Sequence, residues 1–473
     1  MFKKTKLPDV DPVVLKPWHG IRPAYYILAL YFLLLVVLFL LVCLVPGLVS
    51  KRSYVVFDTS LPVFGVYEDG IYLGNGYDSK LETTAGEHTY TFTYEGIEIG
   101  EMTADVKRHY FFTLFSHKST VIKPELEYSD EVREKAIEVF ARDIASYSLI
   151  TDFSGSAVYP PLMRKFAQTA VEMEIADIRD PWLYAVLHIT SETMYCDWVE
   201  AKAVLDKTAV LYETEESRKV EEYLVPLYDS GTVSTVTKTD ESSEIKVKKN
   251  GSFYTYSEGI VTLGKTTETK YPESDYIPVT LAYSTFSIAG SLVTENEYAQ
   301  FVEENKKWSR DNLDELVSEG LVDSNYLRDI TLSSRSSRPV RYISWYAAEA
   351  YIEWKSAKDG VEYTLPTLTE WTVAALSSSE KAYVKSLVFV ESDASTPTAL
   401  MGQLWDMTAT PYIPLMRLVS SETVSRLSTL YPYDDIIVMG GSYVNENISV
   451  EDIGTSAKSS CSSFNGFRLV KHE

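Results

Sequence analysis

The longest apolar run in the chain, AYYILALYFLLLVVLFLLVCLVPGLVS at 24–50, contains no charged residue. It exceeds the roughly 20 residues a helix needs to cross a hydrocarbon core and predicts a transmembrane helix over 24–50, preceded by a tail at 1–23. Trp18, Tyr25 and Tyr26 suit an interfacial belt at one end, and Pro46 and Gly47 loosen the other. A cleaved signal peptide would have a shorter apolar stretch and a small-residue cleavage site. Cys43 in LLVC has Val42 before it and too long a basic leader for a lipoprotein box. Lys3, Lys4, Lys6, Lys16 and Arg22 precede the run, whereas Lys51 and Arg52 follow it. That asymmetry predicts a cytoplasmic N-terminus, with everything after Arg52 on the other side of the membrane.

Beyond the apolar run the hydrophobic period changes twice. Over 53–118 short alternating segments predict a small all-β module. Asp69-Gly70 makes a hairpin turn, because both residues tolerate positive φ. Tyr90, Phe92 and Tyr94 fall on one face, Thr89, Thr91 and Thr93 on the other, and HYFFTLF at 109–115 reads as a last extended run. Over 125–228 the period is helical: Val132, Ala136, Ile137, Phe140, Ile144 and Tyr147 recur on one face, with Ser129 as cap. Pro160-Pro161 and Asp180-Pro181 open further helices. Glu172, Glu174 and Asp177 read as a solvated helix face. The Ser-, Thr- and Lys-rich stretch 229–252 is a linker or a polar β-hairpin. From 253 to 473 strands and helices alternate with loops. Trp345, Ala348, Tyr351 and Ile352 share a helix face, and Thr369 is placed to cap a helix that turns Trp371 and Ala374 inward. Gly440-Gly441 permits close approach or positive φ, and the final GFRLV reads as a short buried strand.

Composition narrows the function. The 473 residues suffice for several domains, and a net charge of −23 excludes nucleic acid as a partner for the bulk of the chain. The 34 Tyr fit strand-rich surfaces or an aromatic-lined groove. Three cysteines without a CxxC or Cys/His cluster exclude zinc and iron–sulfur sites. Cys196 and Cys461 are either buried free thiols or one bridge.

Two resemblances add to this reading. Val66, Asp69, Gly70 and Gly74, with Ala85-Gly86-Glu87-His88, resemble the hairpin and P-A-G-E-H-like turn of the PEGA domain of bacterial envelope proteins, with Thr84 in place of the leading proline. This implies a non-catalytic spacer or contact module. In order, FSIAGSLVTENEYAQF, RPVRYISWYAAEAYIEW, YTLPTLTEWTVAAL, GQLWDMT, VMGGSY and NGFRLV closely resemble the formylglycine-generating enzyme or sulfatase-modifying-factor family. The implied fold for 253–473 is a C-type-lectin-like α+β domain, so the whole chain is expected to be a multidomain α+β protein. In that family's oxidases two cysteines follow G-G-S-Y and serve copper and a substrate cysteine. Their places here hold Asn445 and Val450, neither of which can do thiolate chemistry. The family's R-L-P-T-E-A-E-W has lost two charges, at Thr364 and Leu368. G-N-x-W-E-W survives as Gly402-Gln403-Leu404-Trp405-Asp406-Met407, and of the arginines near the end Arg468 remains, with Lys458 as a possible remnant. The loops that carry calcium in the family are shortened. A cousin branch holds iron with three histidines, but none lies between Phe253 and Lys471, and His188 is the only one in the helical region.

These readings predict a single-pass, non-catalytic protein of a bacterial inner membrane that has no cofactor and serves as a binding or structural component of the envelope, with an envelope protein or glycan as partner. Tyr443, Asn445 and Asn447 are its candidate contacts. The alternative is a divergent protein-modifying oxidase that uses Cys461.

Overall fold

The computed structural model describes residues 16–472 apart from 18, 77–79, 114–117, 150–158, 230–233, 237–240, 265–266, 270–276, 331, 333–335, 379–386, 388–394 and 447. Trp18, Lys3, Lys4, Lys6 and Asn447 therefore lie outside the described residues. The chain is a mixed α+β protein of two compact units, Met1–Lys135 and Ala136–Glu473.

In the first unit α1 (Pro23–Val49) is a 27-residue helix with Pro at its start and Pro46 near its end. Its best window has a mean hydropathy of 3.3, and it is long and apolar enough to cross a membrane. The strand Arg52–Phe57 follows, antiparallel to Leu81–Thr84 and parallel to Ser119–Ile122. A second sheet runs in the order Ile71–Asn75, Gly65–Glu68, Gly86–Tyr94, Ile97–Val106. Between the sheets Phe57 meets Tyr90 and Phe92 edge to face, with ring centroids 5.3 and 5.1 Å apart. The residues 109–113 form no strand; the module's last strand is Ser119–Ile122. The correction has a physical basis: Tyr110 and Phe112 make their backbone contacts with α1.

The expected hairpin turn is present, with φ of +48° at Asp69 and +82° at Gly70. Asp69 is held from across the sheet. Its Oδ1 accepts from Thr89 N–H at 3.0 Å, and its Oδ2 lies 2.8 Å from His88 Nδ1. The other ring nitrogen of His88 is 3.1 Å from the Thr84 carbonyl oxygen. His88 thus clamps the turn to the strand Leu81–Thr84 of the other sheet.

The first unit ends, and the second begins, within α2 (Asp130–Ser148), which starts where Ser129 Oγ accepts from Val132 N–H. Then come α3 (Leu162–Glu172), α4 (Arg179–Val186), α5 (Glu192–Leu205) and α6 (Glu215–Asp229). Phe140 of α2 stacks on Phe166 of α3 with centroids 3.9 Å apart. α4 is buried from Pro181 to Val186. The expected solvated face includes Asp177, which pairs with Arg179 at 2.6 Å. Cys196 and Cys461 are not joined in a disulfide; Cys461 is buried, but Cys196 is exposed on α5, which corrects the expectation of two buried thiols.

The mixed lobe packs directly against these helices. Its first sheet runs Val470–His472, Phe286–Ala289, Phe253–Tyr256, Val247–Asn250. Val247–Asn250 forms a hairpin with Phe253–Tyr256, so within the polar stretch 229–252 the hairpin alternative is realised at that end. Gly259–Leu263 pairs with Val279–Tyr283. The last sheet runs Ile453–Ser456, Ile436–Met439, Trp405–Pro411, Asn465–Gly466. Four lobe helices are α7 (Glu295–Glu304), α8 (Leu313–Ser318), α9 (Trp345–Asp359) and α10 (Leu368–Leu376), followed by α11 (Ser421–Leu430). α10 is capped by Thr367 and not by Thr369. Thr367 Oγ1 accepts from Glu370 N–H while Glu370 Oε2 accepts from Thr367 N–H at 2.8 Å. A T-x-x-E box closes both bonds at 367–370, whereas Thr369 would face Thr372, which has no carboxylate to return.

The His88 clamp predicts a pH dependence for the first unit. Burial of the ring opposes its charge, but Asp69, the nearby Glu68 carboxylate and the Thr84 carbonyl outweigh it and raise the His88 pKa above the ordinary 6.5. The stabilisation is therefore complete below about 6.5 and is lost as pH rises through the folded-state value. NMR titration of the ring should find the raised value, and Asp69→Asn should lower it and flatten the loss of stability on the alkaline side.

Candidate functional site

Three of the lobe's sequence motifs converge on one buried ion pair. Arg468 Nε donates to Asp406 Oδ2 at 2.9 Å, and Trp371 Nε1 donates to the same oxygen at 2.8 Å. Both charged side chains are 0% exposed, and Trp371 is fully buried. A second Arg468 nitrogen donates to the Ala399 carbonyl at 3.1 Å. Burial pushes the Asp406 carboxyl pKa up, against the pull of the Arg468 charge and the hydrogen bonds from Arg468 and Trp371. Among the described residues its Oδ1 accepts no hydrogen bond. Each partner comes from a different motif: Trp371 from TEW, Asp406 from LWDM, Arg468 from GFR. Their common destination was not read from the sequence, although three motifs that each keep one polar or indole N–H group were the available signal.

The G-G-S-Y turn lies over this core. Gly440 has φ +91°, and a Cβ there would sit 2.1 Å from the Leu400 carbonyl oxygen and 2.8 Å from the Trp371 ring. No other residue fits. After the turn Asn445 points inward. Its Oδ1 accepts from Ser442 N–H at 2.8 Å and from Ser442 Oγ–H at 2.7 Å, and its own N–H donates to the Ser442 carbonyl. Tyr443 is half-buried with its ring 5.7 Å from Phe464. Val450 packs beside Ile448 and Ile453 against the buried cluster that includes Trp371 and Met439.

Cys461 lies in a different cluster, among Tyr298, Tyr326 and Phe467. Its N–H donates to Asp323 Oδ2 at 3.0 Å, and burial pushes its thiol pKa up to about 12. The residues present do not fit a copper ion. Where the resemblance implies two thiols, Asn445 is an amide already engaged by Ser442 and Val450 a packed alkyl group, and Cys461 is a buried neutral thiol. The histidines fit iron no better. His188 Nε2 is 3.0 Å from Asp434 Oδ1, and Tyr184 O–H donates to the same oxygen at 2.8 Å, a buried group that joins α4 to the lobe. His472 Nε2 pairs with Glu370 Oε1 at 2.6 Å. Lys458 lies over the Trp345 ring.

A cleft of about 500 Å³ opens elsewhere on the lobe. Leu263, Leu281, Met416 and Val424 give it apolar walls, and the Glu370–His472 pair and Arg417 supply charge. That volume falls in the range of small-ligand sites, about 300–1,000 Å³. The sequence reading missed the cleft because its lining comes from six separated segments with no shared motif.

Residues 231–398 match the family described as the sulfatase-modifying factor enzyme 1-like domain, and the chain carries a domain of that family. A protein of Borreliella burgdorferi described as uncharacterized is 23% identical over 391 residues, 77% of this chain and 79% of its own. Among solved structures, PvdO from Pseudomonas aeruginosa is similar at 13% identity and a TM-score of 0.32, covering 49% of this chain and 100% of its own. Treponema denticola variable protein 1 is similar at 15% identity and a TM-score of 0.30, covering 49% and 100%. CarF is similar at 14% identity and a TM-score of 0.28, covering 50% and 99%.

Two outcomes follow for the buried groups. Arg468→Met alone leaves Asp406 unpaired and should cost about 3–5 kcal/mol in urea unfolding followed by Trp fluorescence, whereas Asp406→Leu with Arg468→Met should recover part of the loss. In the native protein in detergent, a thiol reagent at pH 8 should modify Cys196, and Cys461 should react only after unfolding.

Proposed function

We propose that this chain is a membrane-anchored, extracytoplasmic member of the sulfatase-modifying-factor family that binds a ligand or partner and does not oxidise one. The observation that carries this reading is the occupation of the two thiol places. Asn445 uses its side-chain oxygen to hold Ser442, and Val450 is packed against the core. Thiolate chemistry needs an accessible, acidified sulfur. The alternative oxidase would rely on Cys461, whose thiol is 1% exposed and held protonated at neutral pH.

α1 supplies the anchor, in a bacterial inner membrane, with the basic tail at 1–23 in the cytoplasm and residues after Arg52 outside it. The PEGA-like module over 53–118 acts as spacer or contact module, and the helices over 125–228 buttress the lobe at 253–473. An envelope protein or glycan is the partner. The Tyr443–Asn447 loop is one contact surface, and the cleft beside Glu370 and His472 is the better-formed one, because apolar walls with a few convergent charges are what a ligand site requires.

The full-length protein in nanodiscs, given copper, oxygen and a cysteine-containing peptide, should leave the peptide mass unchanged. A peptide aldehyde whose formation is abolished by Cys461→Ser would overturn the reading. In a thermal-shift screen of envelope glycans and peptidoglycan fragments, stabilisation by a hit should disappear in Ser425→Trp, which fills the mouth of the cleft from an exposed position.

A further inference from the structure

α1 carries Tyr25, Tyr26 and Tyr31 in its first half, but after Phe39 it has no aromatic residue up to its end at Val49. A spanning helix ordinarily has interfacial aromatics at both ends. The missing ones are supplied by another part of the first unit. Phe112 N–H donates to the Cys43 carbonyl at 3.0 Å, and the Phe112 ring meets Phe39 edge to face with centroids 6.0 Å apart. Tyr110 lies in a notch made by Gly47, where a Cβ would come within 2.2 Å of the Tyr110 carbonyl oxygen. Arg108 donates to the Leu48 carbonyl at 2.6 Å.

The order of these contacts along α1 follows the polarity gradient of a bilayer edge. Counting about 20 residues on from Tyr26 puts the far edge of the hydrocarbon near Pro46 and Gly47. Arg108 then stands outside that edge, among headgroups, and Tyr110 stands at it. Phe112 bonds to a carbonyl one helical turn further in, about 5 Å deeper, and its ring reaches a turn deeper still. Irregular backbone in lipid is costly unless its polar groups are paired, and the Phe112 N–H is paired. Yet Tyr110, Phe111 and Phe112 are 50%, 46% and 40% exposed. Those apolar ring faces beside a spanning helix have one suitable neighbour, lipid.

We propose that residues 108–112 form a second membrane contact, an aromatic wedge that enters the bilayer alongside α1. This rests on α1 spanning the bilayer, and the test separates the two. In the full chain carrying Cys196→Ser, nitroxide labels are placed at Phe111→Cys, at Leu38→Cys within α1 and at Ile71→Cys on the far hairpin. The protein is then reconstituted in nanodiscs of phosphatidylcholine and phosphatidylglycerol. Power saturation should show the labels at 111 and 38 reached by oxygen and shielded from a nickel chelate, and the label at 71 reached by the chelate. Adding Gly47→Leu, which fills the notch, should expose the 111 label to the chelate and leave the 38 label shielded. A chelate-accessible 111 label beside a shielded 38 label overturns the wedge and leaves the anchor standing. A chelate-accessible 38 label overturns both.

Discussion

A guanidinium and a carboxylate fully removed from water, Arg468 and Asp406, are the constraint around which the lobe is built. Two bare charges in a low-dielectric interior are destabilising unless geometry and additional hydrogen bonds compensate. The lobe provides those bonds from distant parts of the chain: the Trp371 indole, the Ala399 carbonyl and, at 3.4 Å, the Ala289 carbonyl. The segment 467–469 before the last strand, α10, the strand Trp405–Pro411 and the strand Phe286–Ala289 must therefore meet in one arrangement. Gly440 closes over this group because only a residue without a side chain can pass between Leu400 and Trp371.

Neither Asn445 nor Val450 takes part in this buried group. Trp371, Asp406, Gly440 and Arg468 meet in the lobe's core, so losing any of them should destabilise the lobe. Asn445 fastens the turn through Ser442, and Val450 packs against the core. Each contributes locally to stability, and neither disturbs the pair beneath. Nearby, Leu368 is buried and Thr364 forms a bridge to Val470.

Local patterns were legible wherever a short-range interaction decides the structure. The uncharged run gave α1, and the Asp69-Gly70 pair gave a turn with two positive φ values. Ser129 capped α2 as its position implied. Thr369 was misplaced as a cap because the choice between two threonines depends on which has a carboxylate three residues on, and Glu370 serves Thr367. The HYFF segment alternates like a strand, but its partner is the notch at Gly47, a long-range contact that no periodicity encodes. The inward turn of Asn445, the exposure of Cys196 and the cleft share that character. Each depends on which surfaces tertiary packing brings together, and side-chain type alone does not reveal it.

The claim that this lobe has no working sulfur site is tested most directly by competition for cuprous ion. The full-length protein in detergent is titrated under anaerobic conditions against a coloured copper(I) chelator. The account predicts that the protein leaves the chelator complex intact at equimolar concentration. Stoichiometric withdrawal of copper, lost on Cys461→Ser and accompanied by copper–sulfur scattering in X-ray absorption, would contradict it.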